Sequence, residues 1–236
     1  KNIVEDAHHK VDAVVEDVIN EHKKNIAIGK TNGALGGEDL IDDMFAAVTE
    51  TSLSTLVWAM VRMMKNPSVF AKAQAAVREA FKDKETFDEN DVEELKYLKL
   101  VIKETLRLHP PVPLLVPREC REETDINGYT IPVKTKVMVN VWALGKDPKY
   151  WDDAESFKPR DLSSALSALL VTILSIFPLA VANVYLPLAQ LLYNFDWKLP
   201  NGMEPKDLNL TELVGVTAAR KDDLILVATP YQPPRQ

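Results

Sequence analysis

The stretch KETLRLHPPVP, residues 103–113, decides the fold class that we expect for this chain. Glu104 and Arg107 are three residues apart, so on a helix their side chains share one face and can pair. Alone, such a pair would be an ordinary surface salt bridge. The HPP at residues 109–111 closes the pattern, because a residue before proline is disfavoured in the helical conformation. The stretch therefore predicts a helix, Leu95 to Leu108, that carries a paired acid and base.

Upstream of this stretch the apolar residues recur with helical spacing. Asp91 and Glu94 have the spacing of a capping box ahead of the helix predicted from Leu95. The first half of the chain is therefore expected to be helical. The predicted helices run from Val4 to about Asn25, from Glu38 to Lys65 and from Pro67 to near Phe81, with a loop from Gly29 to Gly37.

Short extended segments follow the helices. Asn127-Gly128 is typical of a tight turn between two strands. The segments are rich in β-branched and aromatic residues and are too short for helices. A small sheet inside a helical protein is therefore predicted. Its strands would be Leu114–Arg118, Tyr129–Ile131, Lys136–Val141 and a pair around Val214–Ala218 and Leu224–Ala228.

Composition excludes several classes of protein. The chain has 236 residues, 46% apolar and 27% charged, as in ordinary globular proteins. Its net charge of −7 and pI near 5.2 argue against a nucleic-acid surface, since phosphate contacts need clustered Lys and Arg. The single cysteine, Cys120, excludes an intrachain disulfide and fits a reducing environment. Residues 1–10 lack the apolar core of a signal peptide, and we expect the sequence to begin inside a helix.

Every residue from Leu162 to Phe195 is uncharged. By length and apolarity this run is a candidate transmembrane helix. Pro178 and Pro187 interrupt it, so we favour a buried or disordered run over true spanning. The run could still contact a membrane.

Further motifs follow the opening stretch in order. They are PREC at residues 117–120, NVWALGKDPKYW at 140–151 and FKP at 157–159. The series resembles the cytochrome P-450 superfamily, most closely its plant family-71 D subfamily of sesquiterpene oxygenases. The resemblance covers 1–159 and 181–230, and residues 160–180 depart from it. It implies one partial cytochrome P-450 domain over 1–236, the C-terminal half of that fold, mainly α with a small mixed β-sheet.

The resemblance implies roles for five polar residues. Glu104 and Arg107 would form the buried brace on the proximal side of a haem, and Arg118 would contact a haem propionate. Glu50 and Thr51, in the motif FAAVTETS, would deliver protons to iron-bound dioxygen, which requires a positioned acid on one side only. Ordinary helix packing is the alternative explanation for this motif, although Thr and Ser do not favour helix interiors.

The same resemblance implies a substrate pocket and a reaction. An intact relative would hydroxylate a hydrophobic sesquiterpenoid, with NADPH-derived electrons supplied by a separate cytochrome P-450 reductase. It would do so on the cytosolic face of the endoplasmic reticulum membrane. The apolar pocket would be lined by the segments 111–117 and 215–217, and its residues would be Ala47, Val48, Val112, Leu115, Val116 and Val216.

Two departures from the family predict that this chain is inactive. The family has glycine where this chain has Val48, and a valine there would crowd the groove that admits dioxygen. The family's haem-ligating cysteine lies in a loop just ahead of a helix that matches Ala182–Pro187, and this chain has no such loop. Cys120, in PREC, lies on a strand segment instead. We therefore expect a haem-thiolate monooxygenase that has lost its axial ligand.

Residues 160–180 have an explanation in the genetic code. With suitable codons and a one-base shift, residues 160–167 translate as ERFEQCSV, which restores the family's PERF element after Pro159. Residues 171–180, shifted equally, translate as GNNFEYLPFG, the family's approach to the cysteine loop. We hypothesise that 160–180 is out-of-frame translation and that the cysteine loop was skipped before the frame resumed at Val181.

Two other classes of protein remain open. Asp42-Asp43 and Glu50 approximate the magnesium-binding string of terpene cyclases, but Ala46 replaces the hydroxyl ligand between them. A non-catalytic membrane-associated or interaction protein, built on Leu162–Phe195, is the other class. The adjacent histidines near the N-terminus point to different helix faces, so we predict no metal site.

Overall fold

The structure is a computed structural model that describes residues 37–82, 84, 87–160, 178–213, 215 and 217–232. By its contacts the chain divides into two units, Lys1–Ala46 and Ala47–Gln236. In the first unit only helical residues 37–46 are described, and the contacts reported below lie within the second. The helix predicted from Val4 and nearly all of the loop predicted from Gly29 lie outside the described residues.

Six α-helices occur in the described residues, and three were predicted closely. The bounds of α1, α2 and α4 agree with the expected ones to within about one residue. Pro67 sets the boundary between α1 and α2, because proline interrupts a helix before it and suits the first position of a new one. The six are α1 (Gly37–Lys65), α2 (Pro67–Ala80), α3 (Glu89–Val92), α4 (Lys96–Leu108), α5 (Val141–Lys146) and α6 (Pro178–Asn194).

Eight short strands in the same residues form four antiparallel pairs. The mainly helical, partial fold is confirmed. The sheet predicted as mixed is instead four separate two-stranded antiparallel pairs, and all eight of these strands are only two to four residues long. The pairs are β1 (Arg118–Glu119) with β4 (Lys136–Val137), β2 (Thr124–Ile126) with β3 (Tyr129–Ile131), β5 (Phe195–Lys198) with β8 (Val227–Pro230), and β6 (Glu212–Leu213) with β7 (Ala219–Arg220).

The local turn was predicted correctly and the distant pairing was not. Asn127 and Gly128 have φ angles of 52° and 83°, the signs that a type I′ turn requires. The predicted pairing of 214–218 with 224–228 is wrong, since β8 pairs with β5, about 30 residues earlier. The predicted strands at 114–118 and 136–141 shrink to the two residues each of β1 and β4.

A capping box forms one helix earlier than predicted. Asp88 is the N-cap of α3, and its carboxylate accepts hydrogen bonds from the backbone N–H groups of Asn90 and Asp91. Asp91 is the second member of this box and not the first member of another. At α4 the N-cap is Leu95, which makes no side-chain cap bond.

Residues 178–195 of the uncharged run are described, and part of this segment lies in the protein core. Leu188 and Leu192 of α6 are fully buried, and Pro187 lies inside the helix. No helix in the described residues is long and apolar enough to cross a membrane, and residues 162–177 of the run lie outside them. Core residues from α1, α2, α4 and α6 include Ala59, Met63, Ala73, Val77, Leu98, Ile102, Leu188 and Leu192.

Candidate functional site

The predicted pair of Glu104 and Arg107 is formed and is buried, not a surface salt bridge. Each residue is 2% exposed. Arg107 Nε donates to Glu104 Oε2 and Arg107 Nη2 donates to Glu104 Oε1, both at 2.8 Å. Two parallel bonds between a guanidinium and a carboxylate are the strong form of this interaction. The buried charges are thus paired on the face of α4, as the three-residue spacing predicts.

The remaining N–H groups of Arg107 bind backbone carbonyls. Arg107 Nη1 donates to the oxygens of Gly145 at 2.6 Å and Ala154 at 2.8 Å, and Nη2 donates to Ser156 O at 3.1 Å. All five guanidinium donors therefore have partners within this chain. Glu104 Oε1 also accepts from the backbone N–H of Lys158 at 3.0 Å. The pair thus ties α5 and the segment after it to α4.

Residue 145 must be glycine, because its Cα packs against the backbone carbonyl of Arg107. A Cβ atom there would lie 2.3 Å from Arg107 O, so any side chain would force the backbones apart. Asn140 fixes the start of α5, because its side chain accepts from Ala143 N at 2.9 Å. Trp151 lies over the guanidinium, with 4.8 Å between Arg107 Cζ and the ring centroid. These contacts hold the segment from Asn140 to Lys158 in one arrangement.

Glu50 lies on α1 and contacts the C-terminal segment. Thr217 Oγ1 donates to Glu50 Oε1 at 2.5 Å. One turn further along α1, Ser54 Oγ donates to Ala218 O at 2.8 Å, and Ala218 N donates to Pro111 O at 2.8 Å. The structure therefore brings together three of the regions that the sequence assigned to one site: the TETS motif, Pro111 and residues 217–218.

The other predicted site residues are placed less completely. Thr51 is half-buried on α1, and Arg118 is exposed on β1. Val112 and Leu115 are half-buried in the turn after α4, whereas Val116 is 63% exposed. The side chains of Ala47 and Val48, and all of Val216, lie outside the described residues.

A cavity in the described residues lies away from the predicted pocket. It has a volume of about 330 Å³ and lies between the end of α1, the start of α2 and the segment after β5. None of the predicted pocket residues lines it. Its walls include Met64, Phe70, Trp197, Met203 and Pro205.

A buried polar chain was missed by the sequence reasoning. Arg62 Nε of α1 donates to His109 Nε2 at 2.7 Å, and His109 Nδ1 lies 2.5 Å from Glu212 Oε1. Trp142 Nε1 donates to Glu212 Oε2 at 3.3 Å. The His109 ring stacks on Trp58, with centroids 3.6 Å apart and planes 3° from parallel. Arg62 inside the apolar run VWAMVRMM was the one signal in the sequence that could have drawn attention to it.

Burial changes the pKa values of these three hydrogen-bonded residues, Arg62, His109 and Glu212. Desolvation lowers the pKa of His109 to about 4, against the opposing effect of Glu212. Desolvation also lowers the pKa of Arg62. Burial works to raise the pKa of Glu212, but its hydrogen bond to His109 and nearby positive charge lower it overall. At neutral pH Arg62 is therefore cationic, His109 is neutral and Glu212 is anionic.

The sole cysteine of the sequence, Cys120, lies in a small hairpin. Cys120 follows β1, where its N–H donates to Thr135 O at 2.9 Å and its carbonyl accepts from Lys134 N at 2.8 Å. Its Sγ–H donates to Glu122 O at 2.9 Å. The thiol is thus held in a small hairpin, and no cluster of three or more His, Cys, Asp or Glu in the described residues could bind a metal.

Comparisons with known proteins identify the family. A family model described as cytochrome P-450 matches residues 37–161, more than half of the chain. Premnaspirodiene oxygenase of Hyoscyamus muticus is 70% identical over 267 residues, covering 98% of this chain and 53% of that protein. A Solanum chacoense protein whose name places it in family 71, subfamily D, is 64% identical over 264 residues, covering 96% and 53%.

Solved structures agree with the sequence matches. A zebra fish cytochrome P-450, in a structure with progesterone, superposes with a TM-score of 0.69 at 28% identity, covering 80% of this chain and 44% of that one. The chain spans about half the length of the curated relatives it matches. The family expected from the ordered motifs is confirmed, and this chain belongs to the cytochrome P-450 family.

Proposed function

We propose that this chain is the remnant of a haem-thiolate monooxygenase that has lost its axial ligand and does not retain haem. The observation that carries the proposal is the position of Cys120, the only thiol in the sequence. A cysteinate ligand is what makes iron in this family an oxygen-activating centre. Cys120 lies two residues after Arg118, the residue assigned to a propionate, and both of its backbone groups are fixed in the β1–β4 hairpin.

The length of the alignment supports the loss of an internal segment. It runs over 267 residues, 31 more than the 236 of this chain. The matched part of the relative therefore contains positions with no counterpart here. The proposal places the cysteine loop among them, at the junction after the out-of-frame residues 160–180. Sequencing the transcript tests this, since an undamaged in-frame message for residues 160–180 would refute it.

The proposal assigns the retained residues their family roles. Glu104 and Arg107 are the brace, Arg118 is the propionate contact, and Glu50 and Thr51 are the proton-delivery residues. The brace is complete without haem, because every donor of Arg107 has a partner in the chain. The fold around α4 can therefore outlast the loss of the cofactor.

The ancestral activity that we propose is hydroxylation of a hydrophobic sesquiterpenoid. A relative named premnaspirodiene oxygenase supports an oxygenase of this kind. The apolar residues Val112, Leu115 and Val116, next to the α1 motif through Pro111 and Ala218, suit such a substrate. Electrons from NADPH would come through a separate reductase at the cytosolic face of the endoplasmic reticulum membrane.

The direct test is a haem titration of the purified chain, followed by reduction and addition of carbon monoxide. We expect no red-shifted Soret band of a thiolate-bound carbonyl complex. The Cys120→Ser variant is the matched control, and its spectrum should be identical to that of the parent chain. A thiolate-type band that disappears in Cys120→Ser would overturn the proposal, because Cys120 would then supply the ligand.

A further inference from the structure

The hydrogen bonds around His109 leave only one arrangement of its ring protons. Arginine has donors and no acceptor, so His109 Nε2, at 2.7 Å from Arg62 Nε, must accept. The ring proton is then on Nδ1 and is donated to Glu212 Oε1 at 2.5 Å. His109 therefore bridges a cation and an anion only while it is neutral.

We propose that the chain Arg62–His109–Glu212 is an acid-sensitive latch that holds α1 against the end of α4 and opens between Arg62 and His109 when His109 is protonated. A proton on Nε2 would point at the N–H of Arg62, so two donors would face each other in place of a hydrogen bond. It would also put a second positive charge beside the buried guanidinium. Arg62 is 7% exposed and His109 is 2% exposed, so water cannot screen this repulsion well.

The latch holds the segment that reaches the α1 motif. Glu212 begins β6, and β6 pairs with β7 through the pairs Glu212–Arg220 and Leu213–Ala219. Between the strands, Thr217 and Ala218 bond to α1 and to Pro111. Opening between Arg62 and His109 therefore loosens α1, with Ser54 and Glu50, from this segment. The segment itself stays anchored, because protonated His109 keeps its Nδ1–H bond to Glu212. The inference needs no haem and does not depend on the proposed loss of activity.

Charged groups on the neighbouring elements act on the His109 ring in both directions. Arg62 of α1 and Lys146 of α5 oppose protonation of His109, and Glu212 of β6 favours it. Around Arg62, the carboxylates of Glu155, Glu212 and Glu104 are attractive and Arg107 is repulsive. Burial of the ring, the largest effect, opposes its protonation as the two cations do. Together they lower the pKa of His109 to about 4. The latch should thus be closed at neutral pH and open in acid.

Nuclear magnetic resonance of the histidine side chains in the full chain tests the closed state. We expect His109, assigned by comparison with a His109→Gln variant, to be the Nδ1–H tautomer at neutral pH and to titrate with a pKa well below 6.5. The Nε2–H tautomer, or titration at the ordinary value, would overturn the inference. This measurement needs no variant of Arg62 or Glu212 that might disturb folding.

Amide hydrogen exchange tests the opening. The reporter is the N–H of Ala218, which donates to Pro111 O next to the bond from Ser54 of α1 to Ala218 O. The N–H of Lys221, bonded to Thr211 O beside the β6–β7 pair, should stay protected. Between pH 6.5 and about 4 the protection at Ala218 should fall by up to about 300-fold, because the closed form resists a proton that the open form binds over this range. The N–H of Tyr231, bonded to Asn194 O at 2.8 Å, reports on the separate β5–β8 pair and should stay protected. Loss of protection at all three sites would mean global unfolding and would refute a latch.

The discriminating variant is Arg62→Gln, whose amide can accept a hydrogen bond from protonated His109 and carries no charge. It should abolish the acid-induced drop in protection at Ala218. Glu79→Gln on α2, which removes one partner of an exposed ion pair with Lys82, is the matched control and should keep the drop. An unchanged drop in Arg62→Gln would overturn the inference.

Discussion

Replacing Arg107 with methionine should destabilise the fold by about 5 kcal/mol. The change leaves Glu104, 2% exposed, as an unpaired buried charge, and breaking a buried ion pair in this way costs about 3–5 kcal/mol. It also leaves the carbonyls of Gly145, Ala154 and Ser156 without their donor, at about 1 kcal/mol each if they stay dry. The two costs overlap, because a segment that loosens lets water reach Glu104.

The double variant Glu104→Gln/Arg107→Met separates the two costs. Gln removes the unpaired charge and still accepts from Lys158 N, so we expect it to recover about 2 kcal/mol relative to the single variant. Urea denaturation of both variants measures the differences. Lys96→Met, an exposed change on the same helix, should stay within about 0.5 kcal/mol of the parent. A double variant no more stable than Arg107→Met would refute the view that the buried charge dominates.

Three further changes have expected outcomes. Gly145→Ala places a Cβ 2.3 Å from Arg107 O and should cost about 1–3 kcal/mol in thermal or urea unfolding; an unchanged midpoint would contradict the close approach. Because burial lowers the pKa of His109 from 6.5 to about 4, the unfolded chain binds a proton that the folded chain resists, and the free energy of unfolding should fall by about 3 kcal/mol between those two pH values. In His109→Gln this fall in the free energy of unfolding between pH 6.5 and about 4 should be absent. Asn140→Ala removes the side-chain bond to Ala143 N and should cost about 1 kcal/mol, with Asn90→Ala, at an exposed site on α3, as the comparison.

Features that depend on nearby residues were predictable from the sequence. The spacing of Glu104 and Arg107 puts both on one face of a helix wherever that helix packs. Pro67 sets a helix boundary through its own ring geometry, and Asn127-Gly128 forms a turn because these residues tolerate positive φ. Each of these outcomes is decided within about one helical turn or one hairpin. The ordered motifs were also sufficient to identify the family.

Only the tertiary structure decided which distant segments meet. The run around Leu224 is apolar enough for a strand, but its neighbour β8 pairs with β5 and not with the adjacent segment, since pairing depends on where α6 places Phe195. The partners of Arg107 beyond Glu104 lie 38 to 49 residues away, and Glu212 lies 103 residues from His109. Residue type and spacing carry no record of such contacts. They arise because burying a charge is favourable only where the packed chain supplies its hydrogen-bond partners.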